Sequence, residues 1–409
     1  MSDPLGWPGH AERLARARAR SGAAESVGWV RWGGAVVVEF DFRFLGGSVG
    51  AGAGQALVDA FGAAVAEGLP VVSLIATGGS RVHEGVVALR QLQRVARARA
   101  EHRAAGLGHV AVLRDPTTGG GWAALGAGAD VVLGVAGAQV GFAGSRVRPG
   151  NGPEYTAEGQ FAAGSVDAVV APGDVERVVA DCLRVLGGRR DGPAEVPRAL
   201  GRLDLPGTGW EAVRRARSAA RPRAGAYLAD HFDLLVPVRG DRAGGVDDGV
   251  VCGLGLRGDR AVAVAAQLGT ATGAAGYRTV ERLLRMAGRL GMPVLTLVDT
   301  PGAASGPEAE RAGVGPAIAG VFAAVAESPV PVTTLVVGEG GSGGALALCA
   351  PGRTWLTPDS YFSVLAPELA GLVLRRGDVA GVAEDLRLRP QDVVELGAAD
   401  GIAGAEPIG

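Results

Sequence analysis

Apolar positions along this chain fall into short runs separated by longer amphipathic stretches, the pattern of buried strands covered by helices. Residues 11–20 combine helix-forming residues with spaced arginines behind Pro4, Pro8 and Gly9, which predicts a solvated helix in an N-terminal arm over 1–27. Residues 29–44 read as extended, and the alternation of Phe40, Phe42 and Phe44 predicts a strand with one buried face, ended by Gly46-Gly47-Ser48. Helical periodicity over 55–67 stops at Gly68-Leu69-Pro70, which launches a buried strand over 71–76. A helix over 83–103, a strand over 109–113, a helix over 122–128 and a strand over 130–135 follow.

A second series begins near Tyr227. It has strands over 250–256 and 261–266, a helix over 276–290, a strand over 294–298, a helix over 315–327, a strand over 332–336, and closing stretches over 353–356 and 360–365. Each series predicts a parallel α/β sheet. Residues 187–223, rich in Arg, Gly and Pro, predict a connector, so the expected organisation is a domain over 28–186, a linker over 187–225 and a domain over 226–409.

The two series share more than a rhythm. Pro70 begins an apolar run that ends in Thr77-Gly78-Gly79-Ser80 and leads to Asp115-Pro116-Thr117-Thr118-Gly119-Gly120. Pro293 begins a run that ends in Asp299-Thr300-Pro301-Gly302-Ala303 and leads to Glu339-Gly340-Gly341-Ser342-Gly343-Gly344. Pro70 and Pro293 lie 223 residues apart, and Gly119 and Gly343 lie 224 apart. A near-constant offset predicts two copies of one unit, each baring backbone at two strand ends. Two clusters of free N–H donors suit chemistry in which two carbonyl oxygens take on negative charge.

Composition narrows the chemistry further. With 409 residues and 47% apolar content the chain can bury a large core. All 40 basic residues are arginine, so Schiff-base catalysis and a phosphate-loop lysine are excluded. A net charge of −2 gives no footprint for nucleic acid. Met1 to Gly22 lacks the apolar stretch of a signal peptide, and the most apolar run, 123–140, is broken by Asp130; a cytoplasmic protein with no membrane partner is expected. Cys182, Cys252 and Cys349 stand apart from one another, which predicts buried small residues and no metal site.

Neither copy offers a side-chain catalyst. His83 and His109 have no evident Ser or Cys partner and read as structural or solvent-facing. Ser342 lies in Gly-Gly-Ser-Gly-Gly, and no His follows His231, so a hydrolase triad in the order Ser, Asp, His is unavailable. Arg81 and Glu84 are expected to form a surface ion pair. The glycine turns at 119–121 and 340–344, each opening an Ala-containing helix, therefore carry the expected chemistry through backbone donors.

The ordered motifs Phe44 to Gly50, Thr77 to Gly85, Asp115 to Gly120 and Gly141-Phe142-Ala143-Gly144 resemble the β subunit of bacterial acetyl-CoA carboxylase carboxyltransferase. Gly276-Tyr277-Arg278, Met292-Pro293, Asp299 to Ala303, Gly338 to Ala347 and Ser360 to Val364 resemble its α subunit, so the chain looks like both subunits fused, β first. The resemblance implies two crotonase (ClpP-like) ββα-superhelix domains in tandem and an active site between two such halves, within a homo-oligomer. It implies transfer of a carboxyl group from biotin to the α-carbon of an acyl-CoA, such as acetyl-CoA to malonyl-CoA for fatty acid or polyketide biosynthesis. Gly119 and Gly120 match the hole for the thioester enolate, and Gly343, Gly344 and Ala345 the hole for the biotin ureido oxygen. Gly78 and Gly79, with Gly302 and Ala303, should shape the same cleft, and Trp122 places a bulky ring where the family has small residues.

No Met-Lys-Met biotin-attachment motif exists in a chain without lysine, so biotin is expected on a separate biotin carboxyl carrier protein, charged by a separate biotin carboxylase. No four-cysteine ribbon precedes Trp29. Two other assignments stay open on sequence: a biotin-independent malonyl- or methylmalonyl-thioester decarboxylase, and an inactive scaffold. The acyl group and its carrier, coenzyme A or an acyl carrier protein, are not specified.

Overall fold

The computed structural model describes residues 3–150 and 152–404. Residues 1 and 2 of the expected arm, Asn151 and the last five residues lie outside the described residues. The chain divides into two compact units, one running to Gly187 and including Arg242–Gly244, the other comprising Gly188–Asp241 and the remainder from Gly245.

In the first unit, helix α1 (His10–Ser21) precedes strands β1 (Val27–Trp32) and β2 (Ala35–Phe40). Helix α2 (Ala51–Glu67), β3 (Val71–Thr77), α3 (Gly85–Ala104) and β4 (His109–Thr118) follow. A three-residue helix, α4 (Gly119–Gly121), runs into a wider turn over Trp122–Gly126, then β5 (Val131–Val135), β6 (Val140–Gly141), α5 (Ala157–Ala162), β7 (Ala168–Val170) and α6 (Val175–Leu186) complete the unit. The sheet order is β1-β2-β3-β4-β5-β7, with β6 pairing the far end of β4.

The second unit opens with α7 (Gly209–Arg217), α8 (Ala224–His231), β8 (Leu234–Val238), β9 (Val250–Arg257) and β10 (Arg260–Gln267). It continues through α9 (Ala274–Leu290), β11 (Val294–Thr300), α10 (Pro307–Arg311), α11 (Val314–Ala326), β12 (Val332–Gly341) and α12 (Ser342–Leu346). It closes with β13 (Thr354–Leu356), β14 (Tyr361–Ser363), α13 (Pro367–Leu374), α14 (Val379–Asp385), α15 (Pro390–Glu395) and β15 (Gly401–Ile402). The sheet order is β15-β13-β12-β11-β10-β9-β8, with β14 pairing the far end of β12.

The duplication is stricter in space than in sequence. Helices α2 and α9, strands β3 and β11, and strands β4 and β12 have equal lengths and start and end 223 residues apart. Gly68 and Gly291, also 223 apart, close the paired helices in the left-handed conformation at φ 67° and 68°. Each unit has its own core. Val36, Val38, Ile75 and Leu113 of the first sheet meet Leu57, Phe61 and Val95 of α2 and α3. In the second, Val262, Val264, Leu295 and Leu335 meet Tyr227, Leu228 and Phe232 of the α8 region.

Several expectations change. Both sheets are mixed: β1 and β2 pair antiparallel, as do β8, β9 and β10, while the inner pairs are parallel. The strand expected to run to Phe44 stops at Phe40; Phe42 is exposed, and Phe44 is buried with Leu14 and Ala17 of α1. The same packing buries one face of the helix expected to be solvated. The stretch read as a connector carries α7, and its Arg221 is buried. The Arg81–Glu84 pair is interior, with both side chains 2% exposed, and Glu25 joins it. His109 does have a partner, Ser73 Oγ at 3.0 Å, and the pair is buried beneath Phe61. Burial pushes the Cys182, Cys252 and Cys349 thiols up to about 12. Among the described residues no helix is long and apolar enough to cross a membrane.

His231, at the end of α8, accepts a hydrogen bond at Nδ1 from Arg257 and is 4% exposed. Burial, then the Arg257 charge, holds its pKa at about 4 against the ordinary 6.5. Below the ordinary value the unfolded chain binds a proton that the folded chain refuses until about 4. This contribution is therefore present above 6.5 and lost as the pH falls toward 4, at a cost of about 3 kcal/mol. Thermal melts across that window should fall more steeply for the wild type than for His231→Gln; equal slopes would remove His231 from the account.

Candidate active site

In each unit the two central strands lose register just before they end. Ile75 pairs with Leu113 and Thr77 with Thr117, so two steps on β3 face four on β4. Val298 pairs with Val336 and Thr300 with Gly340, the same mismatch. The bulge turns each strand end toward the glycine-rich segment behind it.

The loop after the first strand has the same bonding in both copies. Thr77 Oγ1 accepts the Gly79 N–H at 3.0 Å, and Thr300 Oγ1 accepts the Gly302 N–H at 3.1 Å. Gly79 O accepts from Val49 N and Val49 O from Arg81 N, both at 2.9 Å. Gly302 O accepts from Thr272 N at 3.1 Å and Thr272 O from Ala304 N at 2.8 Å. Every residue in the second set lies 223 positions after its counterpart. In such a parallel bridge the central residue directs its own N–H away from its partner, which frees the N–H groups of Ser80 and Ala303.

The second donor comes from the helix start. Neither α4 nor α12 has a side-chain cap, and the N–H groups of a first helical turn have no partner inside the helix. Gly119 spends its N–H on Phe142 O at 3.0 Å, which leaves Gly120 as the first free donor of α4; Gly343, 223 residues on, holds the same place in α12.

The two loops touch in each copy, and only glycine lets them. Gly79 has φ 103° and Gly119 φ 63°, and a β-carbon on Gly119 would lie 3.1 Å from Gly79 Cα. A β-carbon on Gly79 would lie 3.9 Å from Gly120 N, over the donor. In the second copy a β-carbon on Gly344 would fall 2.5 Å from Ala303 N and 2.6 Å from the Tyr277 hydroxyl, whereas one on Gly343 meets nothing within 4 Å.

The structure thus brings Gly78, Gly79, Gly119 and Gly120 together in one copy and Gly302, Ala303, Gly343 and Gly344 in the other. Ala345 is fully buried behind its turn. Trp122, expected in the cleft, packs into the core of its unit at 7% exposure. The register also corrects the spacing: Gly119 corresponds to Ser342, both left-handed at φ 63° and 59°, so the offset is 223 throughout. Gly120 then corresponds to Gly343, Gly121 to Gly344 and Trp122 to Ala345. Ser80 was read only as part of its motif and Ser342 only as a poor nucleophile; carrying the Pro70 to Pro293 offset past the glycine run aligns Ser342 with Gly119 and Gly344 with Gly121.

The copies differ in what lies behind the turn. Gly344 O accepts from the Tyr277 hydroxyl at 3.1 Å and from Gln267 Nε2 at 3.4 Å, and Gln267 also donates to Thr272 Oγ1 at 3.0 Å. Burial pushes the Tyr277 hydroxyl up to about 12, so it stays a donor at neutral pH. The first copy has Phe44 and Gly54 at the corresponding positions.

Comparison with known proteins gives this geometry a context. Residues 11–186 match the carboxyl transferase domain family, and residues 206–409 match the family described as acetyl co-enzyme A carboxylase carboxyltransferase-like. The chain is 37% identical over 98% of its length to the acetyl-coenzyme A carboxylase carboxyl transferase subunits beta/alpha of Salinispora tropica, spanning 77% of that protein. It belongs to the acyl-CoA carboxyltransferase family. The protein of the same description from Saccharopolyspora erythraea is also 37% identical, over 98% of this chain and 75% of its own length. A probable biotin-dependent acyl-coenzyme A carboxylase beta3 subunit of Mycobacterium bovis is 30% identical over 99% of this chain and 86% of its own. The solved transcarboxylase 12S shares the fold at a TM-score of 0.76 and 21% identity, covering 92% of this chain and 78% of its own. The carboxyltransferase is therefore an enzyme built of two crotonase-like domains in tandem.

Proposed function

We propose that this carboxyltransferase moves a carboxyl group from biotin on a separate carrier protein to the α-carbon of an acyl-CoA, with one backbone donor pair for each oxygen that gains charge. The observation that carries this is the repeated frame of two touching loops, each leaving one loop N–H and one uncapped helix-start N–H beside a left-handed residue. In the first copy the Ser80 and Gly120 donors hold the thioester oxygen as the α-carbon becomes nucleophilic. In the second, the Ala303 and Gly343 donors hold the ureido oxygen. Biotin supplies the transferable carboxyl group. The open space at Gly343 suits a ring approaching from outside the chain. Fixed N–H groups need no reorganisation as charge develops, and the proton that the α-carbon loses goes to the ureido nitrogen that gives up the carboxyl group.

The acyl acceptor, acetyl-CoA or a related acyl-CoA, is set by the walls of the first loop pair. Supplying biotin carboxylase, biotinylated carrier and a series of acyl-CoA thioesters, then measuring carboxylated product, should show carrier-dependent turnover with one preferred chain length. Turnover that ignores the carrier would overturn the proposal. Assembly into a homo-oligomer is part of the same proposal. Val86 and Leu89 of α3 in the first unit and Leu369, Leu372 and Val373 of α13 in the second are exposed apolar groups at helical spacing.

A further inference from the structure

We infer that the buried Arg221–Asp299 ion pair positions the second glycine turn, making Arg221 a positioning residue for the biotin side of the reaction. This rests on the function proposed for that turn. Asp299 is the last residue before Thr300-Pro301-Gly302, and its side chain is fully buried. Arg221 Nη2 donates to Asp299 Oδ1 at 2.7 Å and Oδ2 at 2.8 Å, with the arginine side chain only 3% exposed. The pair reaches across to the neighbouring strand. Asp299 Oδ1 accepts the Glu339 N–H at 3.1 Å, and Arg221 Nη1 donates to Val337 O at 3.3 Å.

These contacts straddle Gly338, inside the bulge where β12 carries four steps against two on β11. A β-carbon on Gly338 would lie 2.2 Å from Asp299 Oδ1 and 2.3 Å from Arg221 Nη2, so the ion pair occupies the space a side chain would fill. It therefore acts as the wedge that holds the bulge open. Everything beyond it, from Gly340 to Ala345, takes its position from that bulge. Asp299 also fixes the opposite loop, because its carbonyl accepts the Gly269 N–H at 2.7 Å.

The first copy builds the same bulge differently. Ala76 stands at the position of Asp299, and the bulge is filled by Arg114, Asp115 and Pro116 of the strand itself. Asp115 Oδ1 there accepts the Gln139 N–H at 2.9 Å. The second turn takes this charge from outside the repeat, from the segment that follows α7. That dependence makes one turn separable from the other by mutation.

Asp299→Asn keeps the shape and removes the charge, and Arg221→Met keeps the length and removes the guanidinium. In both, backbone amides over 340–345 should exchange with deuterium at least about tenfold faster, while those over 117–122 and in β9 and β10 keep wild-type rates. Biotin-dependent transfer should lose about 10²-fold in kcat, with KM for acyl-CoA unchanged. Ethylguanidinium should restore part of the activity of Arg221→Gly. Unchanged exchange over 340–345 overturns the assignment, as does loss of protection spread evenly over the second unit. If the wild type itself transfers no carboxyl group, the proposed function fails, and the exchange pattern still decides the role of the ion pair.

Discussion

Valine at Gly79 is expected to lower carboxyl transfer by about 10²–10³-fold, the usual effect of losing one preorganised donor to a developing oxyanion. Gly79 has φ 103°, a conformation closed to a β-branched residue, and its β-carbon would sit 3.5 Å from Gly119 Cα and 3.9 Å from Gly120 N. The side chain would cover the Gly120 donor and push the two loops apart. The strain is expected to cost about 1–3 kcal/mol of stability as well, so activity must be compared on folded protein. Gly120→Val would be a blunter probe, because its β-carbon falls 2.5 Å from the Leu92 side chain and not in the gap between the loops. Steady-state kinetics with far- and near-ultraviolet circular dichroism as the control for folding is sufficient, and near-full turnover in folded Gly79→Val would displace the first donor pair from the site.

Gly344→Val should abolish biotin-dependent exchange while acyl-CoA binding, assigned to the first unit, is retained. Its β-carbon would collide with Ala303 N at 2.5 Å and with the Tyr277 hydroxyl at 2.6 Å. The backbone atom cannot yield without moving the loop, so the Ala303 donor is displaced together with the turn. Far-ultraviolet circular dichroism and a thermal melt of Gly344→Val control for folding, because the neighbouring Gly343, whose β-carbon would meet nothing, is itself an assigned donor. Calorimetry of acyl-CoA binding alongside exchange kinetics separates the outcomes. Loss of acyl-CoA binding in Gly344→Val would move the thioester site to the second unit. Retained exchange would remove the turn from the chemistry.

The sequence made the duplication visible because βα units bury continuous apolar runs, and such runs survive divergence when their surfaces do not. The glycines at 79, 119, 302 and 344 were legible for a different reason: each sits at a left-handed φ or a contact too close for a β-carbon. Ser342 was read only as a poor nucleophile, because nothing in composition marks a non-glycine residue held at φ 59°. Donors such as Ser80 and Ala303 act through main-chain N–H groups, and nothing in a side chain marks them. The Phe40, Phe42, Phe44 alternation misled because Phe44 is buried by α1, a contact across 30 positions of chain that periodicity does not encode. Arg221 was obscured in the same way. Within an Arg-rich stretch one guanidinium looks like another, and only the fold selects the one that meets Asp299.

Malonyl-CoA labelled in its free carboxyl group, incubated with the purified protein and biotin, tests the central claim most directly. Two backbone donor pairs serving two oxygens require the labelled carbon to leave the α-carbon and form a bond to the ureido nitrogen, with the α-carbon taking up a proton to give acetyl-CoA. Labelled carboxybiotin should therefore accumulate in step with acetyl-CoA, and omission of biotin should suppress both. Label released as CO2 at the same rate with and without biotin would contradict the account and make the protein a decarboxylase.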